Sequence, residues 1–328
     1  MPLDLSDTLV IGISATALFD LNEEDKLFWE KHREDKDTAI AEYRKYMLER
    51  ENDALADGTG MPLIQALLKL NEHHESGSSA LTEVVVMSRN SPETGVRVLH
   101  NIRSKELEIS RHAFTGGESV VDFLEAFDVD LFLTTSHEDA QRVADSNKCA
   151  VAIVRKPPED QAGYPEGQVR IAFDGDAVLF DESSEQLYKN EGIKGFHSHE
   201  DQNKDVPMED GPYAGLLRKL ARLQERLPFR VEYSPVRIAL VTARNAPAEM
   251  RVIKTLRDWG VYVDAAFFLG GVEKSKVLKA LRPHIFLDDQ DVHLDSASKL
   301  VPSGKVPYPT DSPLNGGESG KKKYAETG

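Results

Sequence analysis

The chain has 328 residues, of which 40 are basic and 56 are acidic, so its formal net charge is −16. This length exceeds the usual size of one compact domain and predicts two packed units. The acidic balance argues against a general affinity for nucleic acid or for anionic membranes. The single Cys149 excludes an intramolecular disulfide framework and a cysteine-rich zinc site, and it fits a reducing compartment.

The two ends of the chain contain no segment typical of export or membrane insertion. Met1-Pro2-Leu3-Asp4 lacks the basic start of a signal peptide, and the apolar stretch 8–19 is too short to span a bilayer. The segment 310–328 has almost no apolar residues and includes a lysine run at 321–323, which predicts a flexible tail. We therefore expect a soluble, cytoplasmic protein that binds no membrane.

The sequence repeats one arrangement of strands and turns. An apolar strand enters a turn of small residues at 9–19 and again at 169–180. Next, a strand ends in a hydroxyl residue, Ser88 in the first half and Thr242 in the second. A pair of glycines then precedes another apolar strand, at 114–135 and at 269–289. Because order and approximate spacing are kept, we predict that one α/β unit occurs twice.

Each half also contains an insert with helical patterning between its first and second landmarks. Leucines at helical spacing mark both inserts: Leu63, Leu67, Leu68 and Leu70 in 61–71, and Leu216, Leu217, Leu220 and Leu223 in 212–227. Such helices are typical of caps or buttresses. Short apolar strands that alternate with amphipathic helices predict parallel sheets covered on both faces, with ligand sites at the carboxyl ends of the strands. The pattern indicates an α/β fold of two Rossmann-like halves, 1–155 and 156–309, with a helical cap insert at about 181–230.

Residues that carry chemistry follow the strands of the second half. They are Asp174 and Asp176 around Gly175, then Thr242, then Lys274 after two glycines, and finally Asp288 and Asp289. Asp-Gly-Asp alone is equally typical of a surface turn. In one parallel sheet, however, these strand ends converge, so that two carboxylate pairs, a hydroxyl and an ammonium meet around one cavity. Four carboxylates cannot share a site without a cation, and oxygen ligands favour Mg²⁺ over zinc.

This set resembles the haloacid dehalogenase superfamily, in which an Asp-x-Asp motif precedes a threonine, a lysine and paired acids. It is more closely similar to the cytosolic 5'-nucleotidase I family, through RIAFDGDAVLF at 170–180, LVTAR at 240–244 and RPHIFLDDQ at 282–290. Thr115-Gly116-Gly117 in the first half also looks like that family's Thr-Gly-Gly. The resemblance covers most of the chain apart from the tail. It implies a pseudo-duplication of haloacid-dehalogenase-type halves.

The resemblance implies a Mg²⁺-dependent 5'-nucleotidase that hydrolyses nucleoside 5'-monophosphates such as AMP through an aspartyl-phosphate. Asp174 would attack phosphorus. Asp176 would protonate the leaving ribose oxygen and later deprotonate water, a role that nearby negative charge would favour. Thr242 would bind a phosphoryl oxygen, and Lys274 would offset charge on the phosphate and on Asp174. Lys276 and Lys279 are alternatives for the lysine.

The same resemblance implies the ligands of the metal and leaves the substrate contacts open. Mg²⁺ would bind Asp174, the backbone carbonyl of Asp176, and Asp288, with Asp289 close by or bound through water. The candidate substrate-binding residues are Gly175, which lets a phosphate approach the backbone, Arg244, Asn245, Phe196 and His197. His199 and Tyr213 are further candidates for contact with a base. Aromatic and histidine residues in helical segments are more often packing or surface residues, and Arg244 and Asn245 fit a helix start equally well.

The first half lacks this chemistry, because Ser14 and Thr16 replace the first two acids and Thr134-Thr135 replaces the last two. We expect a catalytically silent half that serves as packing partner, cap or nucleotide effector site. Two alternatives to a nucleotidase stay open. One is a phosphatase of the same superfamily acting on another small phosphomonoester, and the other is a non-catalytic nucleotide-binding regulatory protein. The family resemblance also implies a homo-oligomer.

Overall fold

Ten strands form one continuous sheet through the centre of the protein. In the computed structural model, the described residues are 4–33, 35–75, 77–159, 163–227 and 234–316. Within them the chain forms twelve strands: β1 (Leu9–Ser14), β2 (Phe19–Asp20), β3 (Ala56–Asp57), β4 (Thr82–Ser88), β5 (Arg111–Phe114), β6 (Leu131–Thr134), β7 (Ala150–Val154), β8 (Val169–Phe173), β9 (Val236–Thr242), β10 (Ala265–Phe268), β11 (Ile285–Asp288) and β12 (Ser303–Lys305). Strands β2 and β3 form a separate antiparallel pair.

The main sheet consists of two groups of five strands that meet edge to edge. The order is β5-β4-β1-β6-β7 in one group and β12-β11-β8-β9-β10 in the other. Pairing is parallel within each group and antiparallel between β7 and β12. The predicted α/β class is confirmed, but the parallel strands form one sheet instead of two. Pairing β7 with β12 satisfies the backbone groups that two free edges would expose.

Eleven α-helices flank these strands in the described part of the chain. They are α1 (Ala15–Leu18), α2 (Asn22–His32), α3 (Lys36–Glu49), α4 (Met61–Lys69), α5 (Val96–Ser104), α6 (His137–Ser146), α7 (Ser183–Gln202), α8 (Ala214–Glu225), α9 (Glu249–Asp258), α10 (Lys274–Leu281) and α11 (Asp291–Ala297). The predicted leucine stretches correspond to α4 and α8, whose leucines are buried. None of these helices is long and apolar enough to cross a bilayer.

One face of the sheet carries an apolar core that both halves share. Side chains alternate between the faces along each strand, so Ile11 points to this core whereas Val10 points to the opposite one. The shared core contains Phe173 of the second half and also α4 and α8. Helix α4 packs against β8, and α8 packs against β1, so each of these helices contacts a strand of the other group. The opposite face has two separate cores, one for each half.

Polar contacts from α8 reinforce this crossing between the halves. The Tyr213 hydroxyl donates a hydrogen bond of 2.8 Å to the carbonyl of Val151 in β7. Lys219 forms an ion pair of 2.9 Å with Asp130, just before β6. Helix α8 therefore packs across the joint between the two groups of strands.

The segment expected to be a flexible tail is described only in its first part, 310–316. Here the Thr310 backbone N–H donates to Asp145 at 2.7 Å, and Pro313–Gly316 forms a short 3-10 turn. The first residues of the segment are therefore attached to α6. Residues 317–328, including the lysine run, lie outside the described residues.

Candidate active site

Asp174 lies immediately after β8, at the carboxyl edge of the second group of strands. Its backbone N–H donates to the Leu287 carbonyl of β11 at 2.8 Å, which fixes the two strand ends side by side. Its Oδ1 accepts the N–H of Gly175 at 2.7 Å. The chain then makes one tight turn over Gly175–Leu179, in which Ala177 adopts a left-handed φ of 58°. This turn leaves Asp174 Oδ2 directed toward β11 and α10.

Lys274 lies between two of the predicted acids. Its ammonium is 2.8 Å from Asp174 Oδ2 and 2.7 Å from Asp288 Oδ2, and the side chain is 1 % exposed. Burial opposes the charged ammonium, but the two carboxylates more than offset this and raise the pKa of Lys274. Lys276 and Lys279 are exposed on α10. Of these three lysines, only Lys274 reaches the acids.

The acids around this lysine form a group with the composition of a metal site. One oxygen each of Asp174, Asp288 and Asp289 lies within 4.8 Å of the others, and all three residues are buried. Asp288 Oδ1 accepts the N–H of Gln290 at 2.8 Å. Asp289 Oδ2 accepts the hydroxyl of Tyr308, whereas Asp289 Oδ1 is buried without a hydrogen-bond partner among the described residues. Oxygen donors with an unsatisfied buried carboxylate oxygen fit a hard divalent cation.

Burial also changes the ionisation of this group. It raises the pKa of Asp174 to about 6 despite the neighbouring Lys274. It raises the pKa of Asp289 well above the ordinary value, and the charges of Asp174 and Asp288 add to the effect. Three buried carboxylates face a single ammonium here, so a bound cation would stabilise their charged forms.

Asp176 is paired with a cation, Arg244, which the sequence interpretation did not expect. The guanidinium Nε is 2.8 Å from Asp176 Oδ2, and Nη2 is 2.6 Å from Oδ1. The expectation that nearby negative charge would favour the proton on Asp176 stays a prediction, and Arg244 places a positive charge beside the same carboxylate. Arg244 reaches Asp176 because it follows β9, which pairs with β8 in the sheet.

Arg244 connects Asp176 to helix α7. Its Nη1 donates to Glu200 Oε2 at 2.5 Å, and its Nη2 donates to Ser184 at 2.7 Å. Glu200 also binds Arg251 of α9 at 3.0 Å and is completely buried. Burial alone would raise the pKa of Glu200, but the two guanidiniums lower it. The sequence alone does not identify Glu200 and Ser184, because only their contacts with Arg244 in the folded chain distinguish them.

Two further contacts involve residues that the sequence predicts for the site. Thr242 is buried beside Gly175, and its hydroxyl accepts the N–H of Arg244 at 3.2 Å. His197 and Asn245 contact each other at 2.9 Å, which joins α7 to the loop after β9.

Two aromatic candidates are packing residues in this structure. Phe196 is 5 % exposed and lies with its ring centroid 5.2 Å from the Arg244 guanidinium carbon. Tyr213 is fully buried and binds β7, so its prediction as a contact for a base is wrong. Tyr213 immediately precedes α8, and its side chain points toward the joint between the halves. His199 is partly exposed and lies 3.4 Å from Glu200.

The corresponding edge of the first half contains hydroxyl groups in place of acids. Ser14 Oγ is 3.1 Å from Thr16 Oγ1, and Thr16 is 2.5 Å from Thr135. Because β7 and β12 are antiparallel, the carboxyl ends of the two groups lie at opposite edges of the sheet. The hydroxyl cluster of the first half and the acidic cluster of the second half therefore lie at opposite edges of the sheet.

Comparisons with known proteins agree with these features. A sequence model of the family described as 5'-nucleotidase matches residues 1–313. Human (Homo sapiens) cytosolic 5'-nucleotidase 1B is 33% identical over 300 residues, which are 90% of this chain and 48% of that protein. The chain thus spans about half the length of this relative.

Among solved structures, a chain of the "Structure of Pnkp1/Rnl/Hen1 complex" covers 92% of this chain and 97% of its own length. Its identity of 11% and TM-score of 0.31 are too low to indicate a shared fold. The family predicted from the strand-end motifs is confirmed by the match over 1–313 and by the human relative. This chain belongs to the 5'-nucleotidase family.

Proposed function

We propose that this protein is a Mg²⁺-dependent phosphomonoesterase that hydrolyses nucleoside 5'-monophosphates, with AMP-like substrates preferred. The observation that carries the proposal is the buried Lys274 ammonium between Asp174 and Asp288, with Asp289 alongside. With a divalent cation bound among these acids, the Lys274 ammonium and the cation together would supply the positive charge that a phosphate needs in an otherwise acidic protein. Membership of the 5'-nucleotidase family makes a nucleotide the substrate class of choice.

Asp174, Asp288 and Asp289 fit a divalent cation, and Mg²⁺ matches their oxygen-only chemistry best. The backbone carbonyl of Asp176 would add a further ligand. When bound, the cation would withdraw charge from the phosphoryl oxygens and so favour nucleophilic attack. The unpartnered Oδ1 of Asp289 supports this assignment, because a buried carboxylate oxygen is otherwise left unsatisfied.

Asp174 is the proposed nucleophile. Its Oδ2 would bond to phosphorus while the ester oxygen leaves, giving an aspartyl-phosphate that water then hydrolyses at phosphorus. Lys274 would hold Asp174 in place and offset charge that develops on the phosphoryl group. The Thr242 hydroxyl and the backbone N–H groups after Asp174 would bind the other phosphoryl oxygens.

Asp176 is the proposed general acid and base. It would give a proton to the leaving ribose oxygen and then accept one from the attacking water. Its ion pair with Arg244 must open, at least partly, before the carboxyl group can carry a proton. Since Arg244 also binds Glu200 on α7, movement of this helix and the position of Asp176 are linked in our proposal.

The base would be recognised by the insert, because no group around Lys274 reads a base. The contact between His197 and Asn245 lies where α7 meets the loop after β9, and either residue can offer hydrogen bonds to ribose or base. Arg244 has its donors engaged by Asp176, Glu200 and Ser184, so we assign it to positioning and not to base contact. A phosphatase acting on another small phosphomonoester is the second candidate, because the phosphate machinery would serve it equally well.

We further propose that the chain is a duplication of a haloacid-dehalogenase-type half. The identical strand order in the two groups supports it. The proposed boundaries are 1–155 and 156–309, with the insert at about 181–230 as cap of the active half. The silent half would act as packing partner or nucleotide effector site in a cytoplasmic homo-oligomer. Calorimetry with nucleotides on an Asp174→Asn variant would test the effector site, and a stoichiometry of one nucleotide per chain would count against it.

The decisive experiment is a phosphate-release screen over nucleoside monophosphates and sugar phosphates, with Mg²⁺ or with EDTA. Asp174→Asn is the inactive variant, and Asp295→Asn, an exposed acid on α11, is the matched control. We expect activity on nucleoside monophosphates that EDTA and Asp174→Asn abolish and that Asp295→Asn retains. Preference for a sugar phosphate would favour the second candidate. Activity that survives both EDTA and Asp174→Asn would refute the mechanism.

A further inference from the structure

The segment after β12 connects the acidic cluster to the first half of the chain. The Val306 backbone N–H donates to the Asp288 carbonyl at 2.9 Å, which keeps the segment beside the paired acids. Two residues later, the Tyr308 hydroxyl donates to Asp289 Oδ2. Tyr308 is thus a neutral donor attached directly to one of the proposed metal ligands.

The same segment is fastened to helix α6 at two points. The Tyr308 carbonyl accepts a hydrogen bond of 2.9 Å from Gln141 Nε2. Thr310 donates to both oxygens of Asp145, from its backbone N–H at 2.7 Å and from its hydroxyl at 2.8 Å. Because α6 belongs to the half that lacks the catalytic acids, this half holds the backbone that carries Tyr308.

The hydroxyl of Tyr308 determines which oxygen of Asp289 is free. A carboxylate side chain can rotate about its last bond and exchange its two oxygens. Here Oδ2 is engaged by Tyr308, and Oδ1 is buried without a partner among the described residues. An oxygen of Asp289 lies within 4.8 Å of oxygens of Asp174 and Asp288. The hydrogen bond from Tyr308 therefore leaves Asp289 Oδ1 without a partner among the described residues of the protein interior, where it can bind a cation.

We infer that Tyr308 is a positioning residue that holds Asp289 for the metal, and that the first half supplies its anchor through Gln141 and Asp145. This rests on the proposed function, in which the acidic cluster binds a divalent cation. Within the described residues, the Tyr308 hydroxyl forms its hydrogen bond with Asp289 and none with Asp174 or Asp176, so we assign its effect to Asp289. On this inference the first half contributes to metal binding, because its helix α6 holds the backbone of the segment that carries Tyr308.

The loss expected from removing such a contact can be stated as a fold-change. Loss of a hydrogen bond to a metal ligand typically lowers metal affinity or activity about 10- to 100-fold. Tyr308→Phe keeps the ring and removes only the hydroxyl, so we expect Mg²⁺ affinity to fall about 10-fold. Asp145→Ala leaves the hydroxyl in place and loosens the segment, so its effect should have the same direction and be smaller.

The test is calorimetric titration of the full chain with MgCl₂, in the absence of substrate. Wild type, Tyr308→Phe and Asp145→Ala are compared with Tyr262→Phe, which alters a tyrosine that is 79 % exposed. We expect weaker binding for the first two variants and wild-type binding for the control. As the MgCl₂ concentration rises, the rate of phosphate release by Tyr308→Phe should approach the wild-type kcat, because the substitution lowers only the occupancy of the metal site.

The outcomes separate this inference from the function on which it rests. Wild-type protein that binds no Mg²⁺ would overturn the proposed metal site and this inference with it. Wild-type protein that binds Mg²⁺, together with unchanged affinity in Tyr308→Phe, would overturn the inference alone. If Tyr308→Phe does not fold, Asp145→Ala decides: weaker Mg²⁺ binding supports the inference, and unchanged binding overturns it.

Discussion

Replacing Glu200 by glutamine tests the buried ion network that connects α7 to Asp176. Glu200 is completely buried and faces two guanidiniums, of which Arg244 has a side-chain exposure of 2 % and Arg251 of 11 %. The variant Glu200→Gln keeps the shape and one acceptor but removes the charge. Arg244 then keeps its ion pair with Asp176, whereas Arg251 loses the carboxylate that Glu200 supplied. Removing one partner of a buried pair lowers the free energy of unfolding by about 3 kcal/mol or more.

Urea unfolding at pH 7, followed by circular dichroism, measures this loss. The matched control is Asp201→Asn on the same helix, because Asp201 pairs with Lys204 at 3.3 Å and both side chains are about half exposed. An exposed pair contributes only about 0–1 kcal/mol, so the control should unfold nearly as wild type does. If Glu200→Gln is as stable as Asp201→Asn, the buried ion network does not contribute to the free energy of unfolding and the reasoning is refuted.

The pH dependence of the same variant follows from the lowered pKa of Glu200. Its ordinary value is 4.5 and the guanidiniums lower it in the folded protein. A lowered folded pKa contributes stability that is complete above pH 4.5 and is lost as the pH falls through the folded value. The difference between wild type and Glu200→Gln should therefore be constant near neutral pH and shrink below pH 4.5. A difference that grows on acidification would contradict this assignment.

Two further substitutions test the shared core and the central lysine. Leu217→Ala empties a fully buried position on α8 and should lower the free energy of unfolding by about 2–5 kcal/mol. Since α8 contacts strands of the other half, circular dichroism and tryptophan fluorescence should still report one transition, and two separate transitions would contradict a shared core. Lys274→Met removes the ammonium between Asp174 and Asp288, so phosphate release should fall about 100-fold or more at unchanged secondary structure. Activity within tenfold of wild type would exclude an essential charge at Lys274.

The sequence indicated the elements and the family because their signals are local. The apolar run before Asp174 and the leucine spacing of α8 each predict one element without reference to the rest of the chain. The motifs around Asp174, Thr242 and Asp288 lie at strand ends, and parallel strands bring their carboxyl ends together. The convergence of these residues with Lys274 therefore agreed with the prediction made from order and spacing.

The sequence alone does not predict the contacts that long side chains make between elements distant in the chain. Arg244 and Glu200 are 44 positions apart, and Tyr213 and Val151 are 62 positions apart. Nothing near Glu200 in the chain distinguishes it from an exposed acid, and an aromatic in a helix can face a ligand or a core. Tyr213 was kept as a candidate for base contact for this reason, because the direction of its side chain depends on where α8 packs.

Periodicity and strand-end motifs thus determined the α/β class, the half that bears the acids, and the residues Asp174, Lys274 and Asp288. The tertiary structure alone decided that the strands join in one sheet, that Arg244 pairs with Asp176, and that Tyr308 binds Asp289. The physical reason is the range of the forces. Backbone conformation and side-chain alternation follow from neighbours in the chain, whereas the pairing of buried charges and edge strands depends on the path of the whole chain.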